Sequence, residues 1–182
     1  RFIIETGRTE DIPTGSAVGL LAGYQITEFN KRIYTGFNYA RGGYIKKFGY
    51  FNGIASLGSF LGNDGFENGI FKVGVDYFTP LYNINQIKLR QFINLTYSQS
   101  INPDEEYILN SENDLGIRGV RGYYLRATSK LNLRLETVVF TPINLIEFRM
   151  AFFAFFDYTS THNTRNDFFD VVASIINNSF IG

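Results

Sequence analysis

The chain has 182 residues, no cysteine, and 17 Lys+Arg against 17 Asp+Glu. That length suits one domain. The balanced charge gives no electrostatic reason to expect nucleic acid or an acidic substrate as a partner. The lack of cysteine excludes a disulfide framework and thiolate metal sites. No apolar run approaches the roughly 20 residues of a membrane-spanning helix.

Hydrophobicity alternates with a period of two along most of the chain, which predicts β-strands. We place about nine of them, near residues 2–6, 16–27, 31–44, 50–61, 70–79, 87–98, 130–136, 148–158 and 168–181. Most exceed the roughly 5 to 6 residues usual in soluble sheets, whereas a tilted strand crossing a bilayer needs about 9 to 11. The fold class we predict is therefore all-β, an antiparallel transmembrane β-barrel segment.

The two faces of the predicted strands differ in polarity. The clearest case is residues 130–136, where Leu131, Leu133 and Leu135 alternate with Asn132, Arg134 and Glu136. In residues 148–158 both faces carry aromatics, but charge is confined to the face of Arg149 and Asp157. We expect the uncharged faces to contact lipid and the charged faces to line a lumen.

Connections of two lengths separate the strands. Residues 79–83 and 141–144 read as tight turns, and residues 62–67, 102–122 and 160–167 as longer polar loops. Short turns on one side and long loops on the other are typical of outer-membrane barrels.

Residues 111–123, SENDLGIRGVRGY, contain an arginine-glycine motif in two overlapping copies. The motif resembles the (V/I)RG(F/Y) signature in the sixth extracellular loop of the BamA/TpsB superfamily, the bacterial surface antigen type of barrel. Arg118 and Gly119 belong to a copy that lacks the final aromatic. Arg121, Gly122 and Tyr123 complete the full match. We favour Arg121 as the functional arginine and keep Arg118 open.

The resemblance implies that the loop, about residues 101–123, folds into the lumen and that its arginine pairs with an acid on the barrel wall. By motif that acid is Asp157, with Glu136 as a second inward acid. Tyr158 and Thr159 depart from the small residue and glycine common in the family. Residues 1–182 would then be a partial barrel domain, a fragment of a 16-stranded barrel whose final strands and any periplasmic POTRA modules lie outside it.

The family's function is insertion or translocation of polypeptides in the Gram-negative outer membrane. The expected partners are outer-membrane lipid, client polypeptides and periplasmic accessory proteins. We expect no cofactor and no nucleic acid. The alternatives are a passive porin, a barrel that anchors a fused domain, and a soluble lipid-binding β-barrel. The last is disfavoured because the outward-assigned faces are largely uncharged.

Enzymatic chemistry has little support in the sequence. The single histidine, His162, lies in a polar segment without a second ligand at metal-binding spacing. We predict neither a metal site nor an enzyme.

Overall fold

The computed structural model describes residues 12–28, 30–62, 65–103, 127–145 and 148–162. These residues form an antiparallel all-β sheet without a helix. Its eight strands are β1 (Gly15–Ile26), β2 (Lys31–Ile45), β3 (Gly49–Gly62), β4 (Gly65–Phe78), β5 (Tyr82–Ile84), β6 (Ile87–Ile101), β7 (Ser129–Leu145) and β8 (Phe148–His162).

The seven long strands follow one another as antiparallel neighbours in the order β1-β2-β3-β4-β6-β7-β8. The short strand β5 pairs with β6, and the sheet is not closed. The all-β prediction is confirmed, and each long strand overlaps a predicted one, although β7 extends to Leu145, well beyond the predicted residues 130–136. The predicted strands at residues 2–6 and 168–181 lie outside the described residues.

The predicted connections are partly wrong. Gly62 pairs with Gly65, so residues 62–67 contain a tight hairpin instead of a longer loop. Residues 141–144 belong to β7, where the register with β8 shifts between Phe140 and Asn144. Proline removes a ladder hydrogen bond and is tolerated at such irregularities, so Pro142 interrupts the pairing without ending the strand. The short strand β5 was not predicted; its first two residues lie in the segment 79–83 that was predicted as a tight turn.

Register divides the side chains of the sheet into two faces, because directly opposed residues point to the same side. We call the face that contains Asp76 the polar face. It includes the residues in register with Asp76 on the other strands and every second residue from them along each strand; past the register shift between Gly58 and Phe60, Glu67 is assigned by its partner Phe60. The positions between them form the apolar face. Among the strand residues whose side chains the structure describes, ten charged ones lie on the polar face: Arg32, Glu67, Lys72, Asp76, Lys88, Arg90, Lys130, Arg134, Glu136 and Asp157. By the same criterion only Lys31 and Arg41 lie on the apolar face.

Burial is inverted relative to a water-soluble domain. On the polar face Asn132 is 2% exposed and Lys130 4%, while Leu20 on the apolar face is 81% exposed. The buried side chains of the described residues are mostly polar or charged, and large apolar side chains lie at the surface along all seven long strands. The polar face also carries apolar side chains, among them Phe78, Phe92, Phe153 and Phe155.

The strands are staggered across the sheet. The row of opposed residues that starts at Gly15, the first residue of β1, runs through Gly42 and Asn52 and reaches β8 at Asp157, well inside that strand. If such a sheet curls into a barrel, a progressive stagger tilts its strands relative to the barrel axis. Tilted, staggered strands are the geometry from which barrels are built.

Glycine is required at the turn between β2 and β3. Gly49 has a φ of 102°, and a Cβ placed on it would lie 2.1 Å from the carbonyl oxygen of Phe78. Gly65, at the turn between β3 and β4, has a nearly identical φ of 103°, but a Cβ there would meet nothing within 4 Å. The two glycines share a backbone conformation that would strain any residue with a Cβ, and they differ in the space available to that Cβ.

Comparing alanine at these two positions separates the two effects. Gly65→Ala should lower the free energy of unfolding by about 1–2 kcal/mol, the cost of a left-handed backbone with a Cβ. Gly49→Ala should cost clearly more, because the backbone of β4 must also move. Urea unfolding followed by circular dichroism measures both, and equal losses would contradict the packing at Gly49.

Candidate functional site on the polar face

A row of polar residues crosses five strands of the polar face. Asn52 of β3, Asp76 of β4, Asn94 of β6, Arg134 of β7 and Asp157 of β8 are successive partners in register. Directly opposed side chains have Cβ atoms about 4.5–5.5 Å apart, so neighbours in this row can interact. We call these five residues the polar row.

Asp76 is the centre of the polar row. Its Oδ2 accepts a hydrogen bond from Asn52 Nδ2 at 3.1 Å, and its Oδ1 accepts one from Asn94 Nδ2. The three side chains are half-buried. A carboxylate with two amide donors is a charge-assisted arrangement, stronger than a bond between neutral groups. This triad therefore ties β3, β4 and β6 together at one level.

Arg134 and Asp157 continue the row with opposite charges on directly opposed positions of β7 and β8. Glu136 lies two residues further along β7, opposite Phe92 of β6 and Phe155 of β8. Both acids named from the sequence, Asp157 and Glu136, thus lie on the same face as Asp76. Asp157 has a basic residue opposite it in the sheet, which sequence reasoning had not considered.

The motif residues Arg118, Gly119, Arg121, Gly122 and Tyr123 lie outside the described residues. Their pairing with Asp157 or Glu136 stays a prediction. After β6 the described residues end at Pro103 and resume at Ala127. Close to these points Ser100 N donates a hydrogen bond to Thr128 O at 2.7 Å. Both ends of the motif-bearing segment are therefore fixed at the same end of β6 and β7.

A second polar cluster lies away from the polar row, where β2 and β4 begin and β3 ends. Arg32 Nη1 lies 3.5 Å from Glu67 Oε2, and Arg32 Nη2 donates to Gln25 Oε1 at 3.1 Å. The guanidinium lies 4.6 Å from the ring centroid of Phe60. The Arg32 side chain is 10% exposed and the Glu67 side chain 17%, so the ion pair between them is shielded from water. This cluster could not be predicted from the sequence, because Arg32 and Glu67 become neighbours only through the register of β2, β3 and β4.

Aromatic side chains flank the polar row on the polar face. Tyr50 stacks on Phe78 with ring centroids 5.0 Å apart, and Phe78 lies 5.7 Å from Phe92. The guanidinium of Arg90 lies 5.3 Å from the ring centroid of Phe78. Tyr50 Oη also donates to the carbonyl oxygen of Pro13 at 2.9 Å, which fixes the chain just before β1.

The arrangement is suited to binding and positioning. It combines carboxylates, guanidinium groups and amides with aromatic rings on one continuous face. Within the described residues, no group of three or more His, Cys, Asp or Glu side chains is placed to hold a metal ion. His162 is the last residue of β8, and its carbonyl oxygen accepts from Thr128 N at 3.1 Å, so its surroundings are a strand end and not a loop as predicted.

Comparison with known proteins gave no relative: no protein-family model, no curated protein and no solved structure matches the chain. In the part of the chain that the structure describes, no helix has the length and hydropathy needed to cross a membrane.

Removing the Asp76 carboxylate tests the triad. Asp76→Ala should lower the free energy of unfolding by about 1–3 kcal/mol, because two half-buried amides lose their acceptor. The double-mutant cycle of Asp76→Ala with Asn94→Ala should give a coupling energy of about 0.5–3 kcal/mol. Urea titrations of the four proteins measure it, and strictly additive losses would mean that Asp76 and Asn94 do not interact.

Proposed function

We propose that the chain forms part of a transmembrane β-barrel in a Gram-negative outer membrane, with its apolar face toward lipid and its polar face toward the lumen. The observation that carries this proposal is the segregation of charge. Ten charged side chains on the polar face oppose two on the apolar face of the described strands. Alternation of this kind over long strands is the signature of outer-membrane barrels.

The energetics favour lipid over water at the apolar face. Burying apolar surface stabilises a protein by about 25 cal/mol per Å². Large side chains such as Val18, Leu20 and Tyr24 are 62% or more exposed on this face, and a contiguous apolar surface of that extent marks a contact with membrane or partner. In a soluble lipid-binding barrel the apolar side chains would point inward and the charged ones outward, the reverse of what the burial supports.

Within this class, insertion or translocation of polypeptides is the function we favour. The support is the motif at Arg121 combined with Asp157 and Glu136 on the polar face. A guanidinium binds a carboxylate through planar, charge-assisted hydrogen bonds and can hold a long loop against a barrel wall. Client polypeptides and periplasmic accessory proteins would be the partners.

A passive porin or a barrel anchor for a fused domain is the second candidate. The polar row supports it equally, because a wall of Asn52, Asp76 and Asn94 suits a water-filled lumen. Depletion of the full-length protein separates the two functions. If it inserts polypeptides, the amounts of other outer-membrane barrels should fall on depletion. Unchanged barrel levels would favour the passive role.

Membrane insertion itself is tested by gel mobility of the full-length protein folded in detergent. A folded barrel should migrate faster unheated than after boiling. A protein that folds and stays soluble without detergent would contradict the proposal.

Arginine at two adjacent positions of β2 gives a sharper test. Phe37 on the apolar face and Asn38 on the polar face are both exposed side chains. Phe37→Arg should destabilise the barrel by about 2–4 kcal/mol if the position lies near the bilayer midplane, whereas Asn38→Arg in the lumen should be nearly neutral. Urea unfolding in phospholipid vesicles measures the difference. In a water-soluble protein Phe37→Arg would be neutral, and that result would contradict the lipid-facing assignment.

The pairing of the loop arginine is tested with cysteines, since the chain contains none. Arg121→Cys with Asp157→Cys should be joined by a short bifunctional thiol crosslinker, because the proposed ion pair brings the two positions close but leaves their Cα atoms further apart than the roughly 7 Å that a direct disulfide allows. The pair Arg118→Cys with Asp157→Cys distinguishes the two arginines. Arg121→Cys with Thr137→Cys, on the opposite face of β7, is the control and should not crosslink. Equal crosslinking to both wall positions would contradict the pairing.

A further inference from the structure

A groove of about 710 Å³ opens between β2, β3 and β4. Its lining includes Tyr39, Arg41, Gly43, Phe51, Gly53 and Val73, all of them at positions of the apolar face. Phe51 is 45% exposed and Tyr39 36%. The groove thus has aromatic sides and lies on the surface that we propose faces lipid.

Two glycines form the floor of the groove without a conformational reason to be glycine. Neither Gly43 nor Gly53 has a positive φ. A Cβ on Gly43 would meet nothing within 4 Å, and one on Gly53 would make only an ordinary contact with Phe51 at 3.6 Å. A Cβ is therefore accommodated at both positions, and a longer side chain would extend into the groove. What glycine contributes at these positions is therefore open space.

The charge beside this space is positive. Arg41 is one of the two charged side chains that the described strands carry on the apolar face, and it lies opposite Ser16 and Gly53. Lys46 and Lys47 follow in the β2–β3 turn, both exposed. No acidic residue occurs between Arg41 and Asn52 in the sequence. A guanidinium binds a phosphate group through charge-assisted hydrogen bonds, and its long side chain can reach toward the headgroup region of a bilayer.

We propose that this groove binds an anionic glycerophospholipid, with an acyl chain over Gly43 and Gly53 and the phosphate near Arg41. The inference rests on the proposed membrane location. A phospholipid is favoured because the β2–β3 turn lies at the opposite end of the sheet from the long β6–β7 connection. In outer-membrane barrels long loops are extracellular and short turns periplasmic, and the periplasmic leaflet consists of phospholipid.

Native mass spectrometry of the full-length protein in mild detergent tests this site, with equal amounts of phosphatidylglycerol and phosphatidylcholine added. The protein should retain phosphatidylglycerol preferentially. Arg41→Gln should reduce that preference about fivefold, the effect of one basic residue at an anionic lipid surface. Gly53→Leu should reduce retention of both lipids by filling the groove. Lys31→Gln, at the other end of β2 on the same face, is the matched control and should have no effect.

Failure of this inference differs from failure of the proposed function. If Arg41→Gln and Gly53→Leu keep heat-dependent gel mobility and retain phosphatidylglycerol as before, the groove assignment is wrong and the barrel stands. Preferential retention of lipid A over phosphatidylglycerol would also overturn it. Arg41→Lys keeps the charge and should keep most of the preference. A loss equal to that of Arg41→Gln, accompanied by loss of heat-dependent gel mobility, would instead reveal a role of Arg41 in folding and overturn the lipid assignment.

Discussion

Strand register is the constraint on which the rest of this structure depends. Side chains alternate between the two faces of a strand, so a slip of one residue would exchange the faces completely. In the observed register Asp76, Arg134 and Asp157 share one face with Asn52 and Asn94. A slip of β7 alone would place Arg134 and Glu136 on the apolar face, beside Ile93, Leu95 and Phe156 of the neighbouring strands, where no opposite charge would compensate them.

The polar interactions make that register specific. Asp76 links three strands through its two amide partners, and Arg32 with Glu67 links β2 to β4 across β3. Each contact forms only when the strands pair as they do, because the partners lie on different strands. The apolar face carries little such information, since one exposed Leu or Phe is much like another in a nonpolar surrounding. We infer that contacts on the polar face determine the strand pairing of the proposed barrel, while the apolar face serves to contact lipid.

Much of the fold was predictable from alternation alone. The seven long strands and the assignment of Leu131, Leu133 and Leu135 to one face follow from a period of two, which any residue-level reading detects. The turn near Pro142 was misplaced, because proline stops a regular ladder but is accommodated where the register shifts. The hairpin at Gly62 was read as a longer loop since glycines and polar residues accompany both.

The candidate site was predictable only in part. The alternation in the sequence predicted that Asp157 and Glu136 share a face, and in the observed register Asp157 belongs to the polar row while Glu136 lies two residues from Arg134 on the same face. The partners of a given side chain depend on how strands align, and one sequence contains no direct record of that alignment. Asn52 and Arg32 could therefore not be predicted as site residues. The position of Arg134 opposite Asp157 could not be predicted either.

The most direct measurement of the central claim is a tryptophan scan of β7, in a chain that contains no tryptophan of its own. Six variants, each with one tryptophan at a position from 131 to 136, would be folded into vesicles that contain brominated phospholipid. The bromine quenches tryptophan fluorescence on contact. If β7 is part of a barrel wall, quenching should alternate, strong at Leu131, Leu133 and Leu135 and weak at the positions between them. Uniform quenching along the strand, or emission untouched by the lipid at every position, would contradict a wall with one face in lipid and the other in a lumen.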